Sequence, residues 1–338
     1  MFSLFGKTLV ELQALCADEG LPRFAARQIC DWLYVKRVDS IDAMTNLSLK
    51  ARARLKEIAC IGRHSPIQCQ VSTDGTKKYL FEIDAAAHAY VETVFIPDGD
   101  RATLCISCQV GCKMGCRFCV TGQQGFHGNL STTDILNQIF SIPEFDRLTN
   151  IVYMGMGEPM DNLDNVLCST QVLTADWGLA WSPHRITVSS VGIIPGLQRF
   201  LDESQCHLAV SLHNPFASER LQVMPMQKVY PIADVVALLR RYDWSGQRRI
   251  SFEYTMFKGL NDDLRHAAEL VRLLKGLYCR VNLIRFHASP DTPYRTSTPA
   301  AISQFRDYLN AHGITCTLRA SRGEDIMAAC GLLAGQNR

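Results

Sequence analysis

The sequence predicts an α/β protein whose main part is a partial (βα)6 barrel, preceded by a helical module and a small β extension. Residues 1–64 carry apolar side chains at helical spacing, and residues 65–97 contain short runs of alternating apolar and polar side chains. From about residue 100 onward, strand-like and helix-like patterns follow one another. Such alternation favours parallel strands joined by crossover helices, and six strands fall short of the eight that close a full barrel.

The composition limits the class of protein. The chain of 338 residues is long enough for one large domain and a smaller one, and its 47% hydrophobic and 20% charged residues are typical of a globular protein. Apolar runs such as residues 151–157 are much shorter than the roughly 20 residues of a membrane helix. Glu11, Asp18 and Glu19 lie where a secretory signal would be apolar. We therefore expect a cytoplasmic protein without a membrane segment.

The helical module at residues 1–64 contains two candidate helix starts, because Thr8 and Ser48 can accept hydrogen bonds from free N–H groups as N-caps. The module holds ten Lys and Arg against seven Asp and Glu, a net charge of +3, whereas the rest of the chain, with 25 against 26, carries −1. A surface for nucleic-acid phosphates and a solvated helix face are both compatible with this excess.

The β extension at residues 65–97 is predicted as a hairpin with a third strand. The runs QCQVS and KKYLFEI flank the turn residues Asp74 and Gly75, and AYVETVFI alternates in the same way. Residues 98–338 then form the barrel core and a C-terminal segment. The candidate barrel strands are ATLCIS, NIVYM, RITVS, HLAVSL, RISFEYTMF and RVNLI. Ligands of parallel α/β folds bind beyond the carboxyl ends of the strands, so the loops after these runs should hold the site.

Five of the fourteen cysteines lie between Cys105 and Cys119. In a reducing compartment, clustered thiols are more often metal ligands or catalytic groups than disulfides. Cys112, Cys116 and Cys119 form a CxxxCxxC triplet, which can bind three irons of a 4Fe-4S cluster and leave the fourth iron open for a substrate. The alternative is zinc, held by Cys105 and Cys108 together with Cys116 and Cys119. Only seven residues separate these two pairs, against roughly 15 to 20 in a common zinc ribbon, and Cys112 would be left over.

The triplet, with an aromatic residue before its third cysteine, resembles the cluster motif of the radical S-adenosylmethionine (SAM) enzymes, which implies a TIM-like partial barrel. The segment GMGEP at residues 155–159 is similar to the glycine-rich loop that binds the amino group of SAM in this superfamily. Glu158 can accept hydrogen bonds from an ammonium group, and Gly155 and Gly157 let the backbone approach the ligand.

Further segments resemble the bacterial RNA adenine methyltransferases of the RlmN type. The segments that carry this resemblance are VETVFIPDGDRATLCISCQVGCKMGCRFCVTGQQGF, YMGMGEPMDNL, SLHNP, the MP pair at residues 224–225, and RGEDIMAACG, which ends at Gly331. They extend from about residue 90 to residue 335. The helical module also suits this family, so the resemblance covers nearly the whole chain. Its least common element is Cys330 in the last segment.

The resemblance implies that Cys330 carries the methyl group. Cys330 would take a methyl group from one SAM molecule, and a radical formed from a second SAM on the open iron would activate that group for addition to carbon 2 of adenine. Two SAM molecules are therefore expected per turnover. Glu92 matches the proton acceptor of the family, and Cys105 matches its resolving cysteine, which would release the product by forming a transient disulfide with Cys330.

The resemblance also implies the SAM contacts and the partners. The matching SAM contacts are Gly157, Glu158, Ser189, Ser211, Leu212, His213 and His287. The expected partners are 23S rRNA, transfer RNA and an electron donor of the flavodoxin or ferredoxin type, and we expect a monomer. Trp32, Tyr34, Lys36 and Arg37 are candidate RNA contacts of the helical module. An amphipathic helix with Trp32 in its core is the alternative.

Three other functions fit parts of the pattern. A sister activity uses the same cysteines to methylate carbon 8 of the same ribosomal adenine, although Asp161 and Asn162 after GMGEP favour carbon 2. A zinc-stabilised RNA-binding protein without catalysis is the second alternative, and a radical SAM enzyme that acts on proteins or small molecules is the third. Cys108 is interpreted as a bystander and not as a fourth cluster ligand.

Overall fold

The computed structural model describes residues 1–288 and 292–335. The helices are α1 (Leu9–Asp18), α2 (Ala25–Cys30, continued by a π-helical turn at Asp31–Val35), α3 (Leu49–Ile58), α4 (Val120–Gln123), α5 (Thr132–Phe140), α6 (Leu163–Thr174), α7 (Ile194–Glu203), α8 (Ala217–Val223), α9 (Ile232–Leu239), α10 (Leu264–Leu274) and α11 (Pro299–Ala311). The strands are β1 (Phe2–Ser3), β2 (Ala59–Cys60), β3 (Gln68–Val71), β4 (Lys77–Asp84), β5 (Ala89–Asp98), β6 (Arg101–Cys105), β7 (Gln109–Gly111), β8 (Phe126–Asn129), β9 (Asn150–Tyr153), β10 (Ile186–Ser190), β11 (His207–Ser211), β12 (Ile250–Met256), β13 (Arg280–Arg285) and β14 (Thr315–Leu318).

The helical module brings its first and last residues together. β1 and β2 pair as two short parallel strands, with Phe2 opposite Ala59, a pairing that the sequence pattern did not indicate. Both predicted N-caps are confirmed. The Thr8 side chain forms a capping box with Glu11, and the Ser48 hydroxyl accepts a hydrogen bond from a backbone N–H of the first turn of α3. These caps fix where α1 and α3 begin.

A ten-stranded sheet forms the centre of the molecule, in the order β14-β13-β12-β11-β10-β9-β6-β5-β4-β3. β6 and β9 to β14 run parallel to one another, whereas β3, β4 and β5 form an antiparallel extension that pairs with β6 through β5. The six predicted barrel strands and the hairpin around Asp74 and Gly75 are confirmed. β14 is a seventh parallel strand that the sequence analysis missed, because three of its four residues are exposed and no apolar run marks it.

The central parallel strands are largely buried, and helices cover the outside of the sheet. Val188, Phe252 and Val281 are fully buried strand residues, and Leu136 and Phe140 of α5 are buried as well. The carboxyl ends of β6 and β9 to β13 therefore share one edge, and the loops that follow them surround a cavity. Within the described residues, no helix has the length and apolar character that a membrane crossing needs.

The helical module packs directly on the barrel. The Phe5 and Phe140 rings meet edge to face with centroids 5.2 Å apart, and the Tyr34 and Trp177 rings are 6.1 Å apart. Buried apolar residues of the module and of the barrel belong to one continuous core. Tyr34 is fully buried in this core, so the prediction that it contacts RNA is wrong.

The other candidate RNA contacts of the module already have partners within the chain. The Lys36 ammonium lies 3.7 Å from the centroid of the Trp32 ring, and Arg37 forms an ion pair of 2.9 Å with Asp146. These side chains keep part of their surface open to solvent, so phosphate contacts by Lys36 and Arg37 stay a prediction.

Candidate active site

The loop that carries the CxxxCxxC motif connects β7 to α4 beyond the carboxyl end of the first barrel strand. β7 pairs with β8, and the Cys112 N–H donates to the Gly125 carbonyl at 2.8 Å. Gly111 has a φ of 73°, and a Cβ at this position would lie 1.9 Å from the same carbonyl oxygen. The chain can therefore turn into the cysteine loop only because residue 111 is glycine.

The three motif cysteines line a single cavity at the end of the barrel. Burial raises the pKa of Cys112 to about 12 and also raises the pKa values of Cys116 and Cys119. A thiol with a raised pKa keeps its proton at neutral pH, so these groups become thiolates only when a bound metal displaces their protons.

The donor set fits an iron–sulfur cluster better than a single ion. In the 332 residues that remain when 289–291 and 336–338 are set aside, no three His, Cys, Asp or Glu side chains are arranged to hold one metal ion. In a 4Fe-4S cluster each thiolate binds a different iron, so the sulfurs lie farther apart than around zinc. Cys108 belongs to the buried core and does not line the cavity. The zinc arrangement therefore does not fit, and Cys112, Cys116 and Cys119 suit the cluster.

The C-terminal segment returns to this cavity. Cys330 and Cys105 both line it, together with the three motif cysteines. Two hydrogen bonds to α4, which directly follows the cysteine loop, hold the segment in place. The Val120 N–H donates to the Gly331 carbonyl at 2.8 Å, and the Thr121 hydroxyl donates to the Leu333 carbonyl at 2.7 Å.

The β extension holds the same segment from the other side. The Ser72 hydroxyl donates to Asp325 at 2.5 Å, and the Gly323 N–H donates to Asp74 at 3.0 Å. Burial opposes ionisation of Asp74, but hydrogen bonds from Gly323, Thr76 and Ser72 outweigh it and lower the pKa of Asp74 to about 2. The predicted hairpin turn is thus a docking point for the segment that carries Cys330.

Arg319, which the sequence analysis did not select, lines the cavity beside both thiols. Its Nη1 donates to the Met154 sulfur at 3.3 Å, its Nε lies 3.4 Å from Glu253 Oε2, and its charge interacts with the Cys330 thiol. The Glu253 carboxylate, followed by the Cys330 and Cys105 thiols, raises the pKa of Arg319, which is therefore a cation at neutral pH. Burial and then Cys330 raise the pKa of Cys105 to about 12, whereas Arg319 acts to lower it. The charge of Arg319 thus opposes the effect of burial on the Cys105 thiol.

Glu92, the predicted proton acceptor, is 5% exposed and lies behind the C-terminal segment. One carboxylate oxygen is 3.0 Å from the Lys78 ammonium, and the other accepts the Ala334 N–H at 2.7 Å. Glu92 is not among the residues that line the cavity. Its role as a base stays a prediction, and the carboxylate is occupied by the chain itself in this conformation.

The predicted SAM contacts divide into two groups. Gly157, Glu158, Ser189, Ser211 and His213 line the cavity. Burial raises the pKa of Glu158 to about 7, although the backbone N–H groups of Val191 and Met160 donate to its carboxylate. A half-ionised carboxylate in a low-dielectric cavity becomes fully ionised beside an ammonium group.

His213 presents a defined tautomer. Its Nδ1 accepts the Thr255 N–H at 2.9 Å, so the ring proton is on Nε2. Burial and then Arg220 lower the pKa of His213 to about 3, and the ring is therefore neutral. Nε2 can donate one hydrogen bond to a ligand.

Two predicted SAM contacts lie outside the cavity lining. Leu212 is fully buried, and its N–H donates to the Glu253 carbonyl at 3.0 Å. The His287 ring lies 3.0 Å from the Ser321 hydroxyl and 3.4 Å from a carboxylate oxygen of Glu324. Their contacts with SAM stay predictions.

The sequence analysis missed two residues that line the cavity, Glu253 and Arg319, although the sequence contains a weak indication of each. Glu253 is a carboxylate within the otherwise apolar run RISFEYTMF, and a charge in a strand that is buried on both faces indicates a function. Arg319 directly follows β14, so assigning that strand would have placed it at the carboxyl edge of the sheet with the other site residues.

Comparison with known proteins agrees with this geometry. Residues 2–61 match the family model of the ribosomal RNA large subunit methyltransferase N-terminal domain, and residues 106–271 match that of the radical SAM superfamily. A crystal structure of a radical SAM methyltransferase from Sphaerobacter thermophilus superposes with a TM-score of 0.91 at 40% identity, covering 99% of this chain and 100% of that one.

Two relatives match along nearly their whole length. A probable dual-specificity RNA methyltransferase RlmN of Phocaeicola vulgatus is 56% identical over 332 residues, which cover 98% of this chain and 95% of the relative. The dual-specificity RNA methyltransferase RlmN of Syntrophus aciditrophicus is 41% identical over 333 residues, with coverages of 97% and 95%. Identity at this level over almost the full length shows that the chain belongs to the RlmN family of radical SAM proteins.

Proposed function

We propose that this chain is a radical SAM methyltransferase that adds a methyl group to carbon 2 of an adenine in RNA. The observation that carries the proposal is the placement of Cys330 and Cys105 in one cavity with the three motif cysteines. Carbon 2 of adenine has no nucleophilic electron pair to attack an ordinary methyl donor. A protein thiol that first takes the methyl group and then delivers it in radical form removes this obstacle, and the names of the relatives support RNA as the substrate.

Cys330 acts first as a nucleophile. Its thiolate attacks the methyl carbon of SAM, a carbon–sulfur bond forms, and S-adenosylhomocysteine leaves. Arg319 supports this step because it lines the same cavity and its positive charge interacts with the sulfur that attacks. When bound, the 4Fe-4S cluster would supply and later take back one electron, and a second SAM would supply the radical that removes a hydrogen atom from the new methyl group.

Glu92 and Cys105 complete the transfer. The methylene group on Cys330 adds to carbon 2, and the adduct loses one electron and the carbon 2 proton, which Glu92 accepts. The Cys105 thiolate then attacks the Cys330 sulfur. A sulfur–sulfur bond forms, the carbon–sulfur bond breaks, and its electron pair stays on the methylene carbon, which takes up a proton to become methyl. A dithiol reductant supplies the two electrons and two protons that restore both thiols.

The position of Glu92 sets a condition on this sequence. Because its carboxylate is held by Lys78 and by the Ala334 N–H, it reaches a substrate only after residues 331–335 have moved. Cys330 directly precedes these residues, so we assign the movement to the step in which RNA enters the cavity.

The residues of the cavity wall hold SAM in this proposal. Glu158 accepts hydrogen bonds from the ammonium group of SAM, and His213 donates a hydrogen bond to SAM through Nε2. Ser189 and Ser211 line the same cavity. Gly157 lets the ligand approach the backbone. Leu212 would contribute through its main chain. His287 would contact SAM only after exchanging its present contacts with the C-terminal segment.

The domain organisation follows from the same proposal. We assign residues 1–64 to RNA binding, 65–97 to a β extension that docks the C-terminal segment, and 98–338 to the catalytic core. We propose an adenine of 23S rRNA and the adenine 3′ of the anticodon in transfer RNAs as substrates. Two SAM molecules are used per turnover, a flavodoxin or ferredoxin provides the electron, and the protein acts as a monomer. The match of residues 2–61 to a ribosomal RNA methyltransferase domain supports the assignment of the module.

Mass spectrometry of nucleosides tests the proposal. Unmodified 23S rRNA and transfer RNA are incubated anaerobically with the reconstituted protein, SAM and a reductant, and digested. We expect 2-methyladenosine, whereas 8-methyladenosine or unmodified adenosine would contradict the proposal. The Cys330→Ala variant should give no product, and Cys105→Ala should stay covalently attached to RNA. Cys108→Ala is the matched control, because Cys108 is a buried thiol outside the cavity and its loss should leave methylation intact.

A further inference from the structure

Arg220 on α8 is the largest fully buried side chain of the described residues, with 0% exposure. Its guanidinium makes four hydrogen bonds. Nε donates to the Leu212 carbonyl at 3.0 Å, Nη1 donates to Gln227 Oε1 at 2.7 Å, and Nη2 donates to the carbonyls of Val191 at 3.0 Å and Ser211 at 2.9 Å. All four acceptors are neutral oxygens. The hydrogen bonds are satisfied, but the positive charge is not neutralised.

A buried cation without a counter-charge is costly, since transfer of a charge out of water is offset only by pairing. Burial lowers the pKa of Arg220 to about 10, so the group is still a cation at neutral pH. The other buried arginine of the site, Arg319, has the Glu253 carboxylate beside it. Arg220 has no corresponding carboxylate among its hydrogen-bond acceptors. The acceptors that the chain itself supplies therefore leave the positive charge of Arg220 without a counter-charge.

The ionisable groups that interact with Arg220 belong to the candidate cluster site. These groups are Cys116 and His213. The Arg220 Nη2 donates to the Val191 carbonyl at 3.0 Å, and Val191 packs in one small apolar cluster with Cys116. His213 is neutral and cannot balance the charge. Cys116 packs in a small apolar cluster with Val223, which is on the same helix as Arg220. Charges that face each other across such surroundings interact strongly because no water screens them.

We propose that Arg220 is the counter-charge of the iron–sulfur cluster and thereby favours its reduced state. The inference rests on the proposed cluster site at Cys112, Cys116 and Cys119. The doubly positive oxidised core and three thiolates sum to one negative charge, and uptake of one electron raises this to two. A fixed cation behind the Cys116 ligand stabilises the second negative charge more than the first. Arg220 thus acts on the cluster through its positive charge, as a positioning residue, and contacts neither SAM nor RNA in this role.

The experiment compares Arg220→Gln, Arg220→Lys and wild type after anaerobic reconstitution, without SAM or RNA. Iron and sulfide content, thermal unfolding and the midpoint potential are measured, the last by electron paramagnetic resonance during titration with dithionite. Arg248→Gln is the matched control, because Arg248 donates to the Cys206 and Leu201 carbonyls away from the cysteine loop. We expect Arg220→Gln to lower the equilibrium constant for reduction at least about tenfold, a shift of about 59 mV to more negative potential. Arg220→Lys and Arg248→Gln should stay near wild type.

The outcomes separate charge from hydrogen bonding. A wild-type potential in Arg220→Gln overturns the inference. If Arg220→Gln loses the cluster while Arg220→Lys keeps it at the wild-type potential, the charge is required and the inference stands. If Arg220→Lys behaves like Arg220→Gln in potential or in cluster content, the hydrogen bonds are what matter and the inference is wrong. If the wild-type protein binds no cluster, the proposed function itself is refuted. This outcome is distinct from any effect of the Arg220 variants, because it is measured on the unmodified protein.

Discussion

Replacing Gly111 by alanine should disable the cysteine loop without unfolding the barrel. The added Cβ would lie 1.9 Å from the Gly125 carbonyl oxygen, and real Cβ contacts are not shorter than 3.0 Å. The backbone must therefore separate by at least 1.1 Å, the difference between these two distances. That carbonyl accepts the N–H of Cys112, so the displacement is passed to a proposed cluster ligand. Metal–ligand distances tolerate only about 0.2 Å, so the cluster should not assemble.

The matched control is Gly125→Ala. Gly125 also has a positive φ, of 78°, but no atom lies within 4 Å of a Cβ built there. Its replacement costs only the strain of a left-handed backbone, about 1 kcal/mol. In a chain of this size such a loss lowers the melting temperature by about 2 °C. Gly125→Ala should therefore keep its cluster, and the two variants separate backbone strain from steric displacement.

Both variants are purified, reconstituted anaerobically, and assayed for iron, sulfide and the visible absorption of the cluster. Circular dichroism and thermal melting report the fold. We expect Gly111→Ala to keep its secondary structure and to contain little iron, and Gly125→Ala to match wild type. A full cluster in Gly111→Ala would refute the reasoning, and so would equal iron loss in both variants.

Three further predictions concern the cavity and the C-terminal segment. With a Glu158 pKa of about 7, the carboxylate is protonated at lower pH and loses its attraction for an ammonium group; the affinity for SAM, measured by calorimetry, should fall about fivefold from pH 7 to pH 6. Arg319→Gln should slow alkylation of Cys330 by iodoacetamide at pH 7.5, because the attacking sulfur loses the positive charge that interacts with it. Asp74→Ala should release the segment at Gly323 and destabilise its docking by about 1 kcal/mol, which should speed hydrogen exchange of residues 323–335 about fivefold.

Each of these predictions has a control. In Glu158→Gln, the affinity for SAM should not show the fivefold fall from pH 7 to pH 6 that protonation of Glu158 causes. Titration of the amino group of SAM affects both proteins equally, so it cancels when the two are compared. For Arg319, the Lys variant should restore part of the alkylation rate, and a rate unchanged in Arg319→Gln would show that the cation does not act on Cys330. For Asp74, hydrogen exchange of residues 323–335 as slow as in wild type would contradict the docking role.

The fold was largely predictable because its strands are buried and its helices amphipathic. Runs such as NIVYM and HLAVSL are apolar because these strands are buried in the sheet, so the local pattern predicts their burial. The sequence analysis missed β14 for the opposite reason. Its residues are mostly exposed, and it is a strand only because β13 offers a free edge with which to pair. The Thr8 and Ser48 caps were predictable because the hydrogen bond of an N-cap spans only three residues.

The candidate site could be predicted from the sequence where its chemistry depends on the spacing of residues along the chain. It could not be predicted where the chemistry depends on how distant side chains pack together. Cys112, Cys116 and Cys119 stand out because one loop must present all three sulfurs. Arg220 gave no signal, since an arginine in a short amphipathic helix is normally exposed. Tyr34 was misjudged for the same reason, as a tyrosine beside basic residues suits both a surface and a core.

The sequence by itself predicted which groups form the proposed site and determined the order in which the elements follow, because periodicity and cysteine spacing act over a few residues. Only the tertiary structure decided that Cys330 enters the cavity of the cysteine loop, that Arg319 lies beside it, and that the same segment covers Glu92. These contacts join parts of the chain that are far apart in sequence. Their geometry depends on how the barrel, the β extension and the C-terminal segment pack together, and no local pattern encodes that.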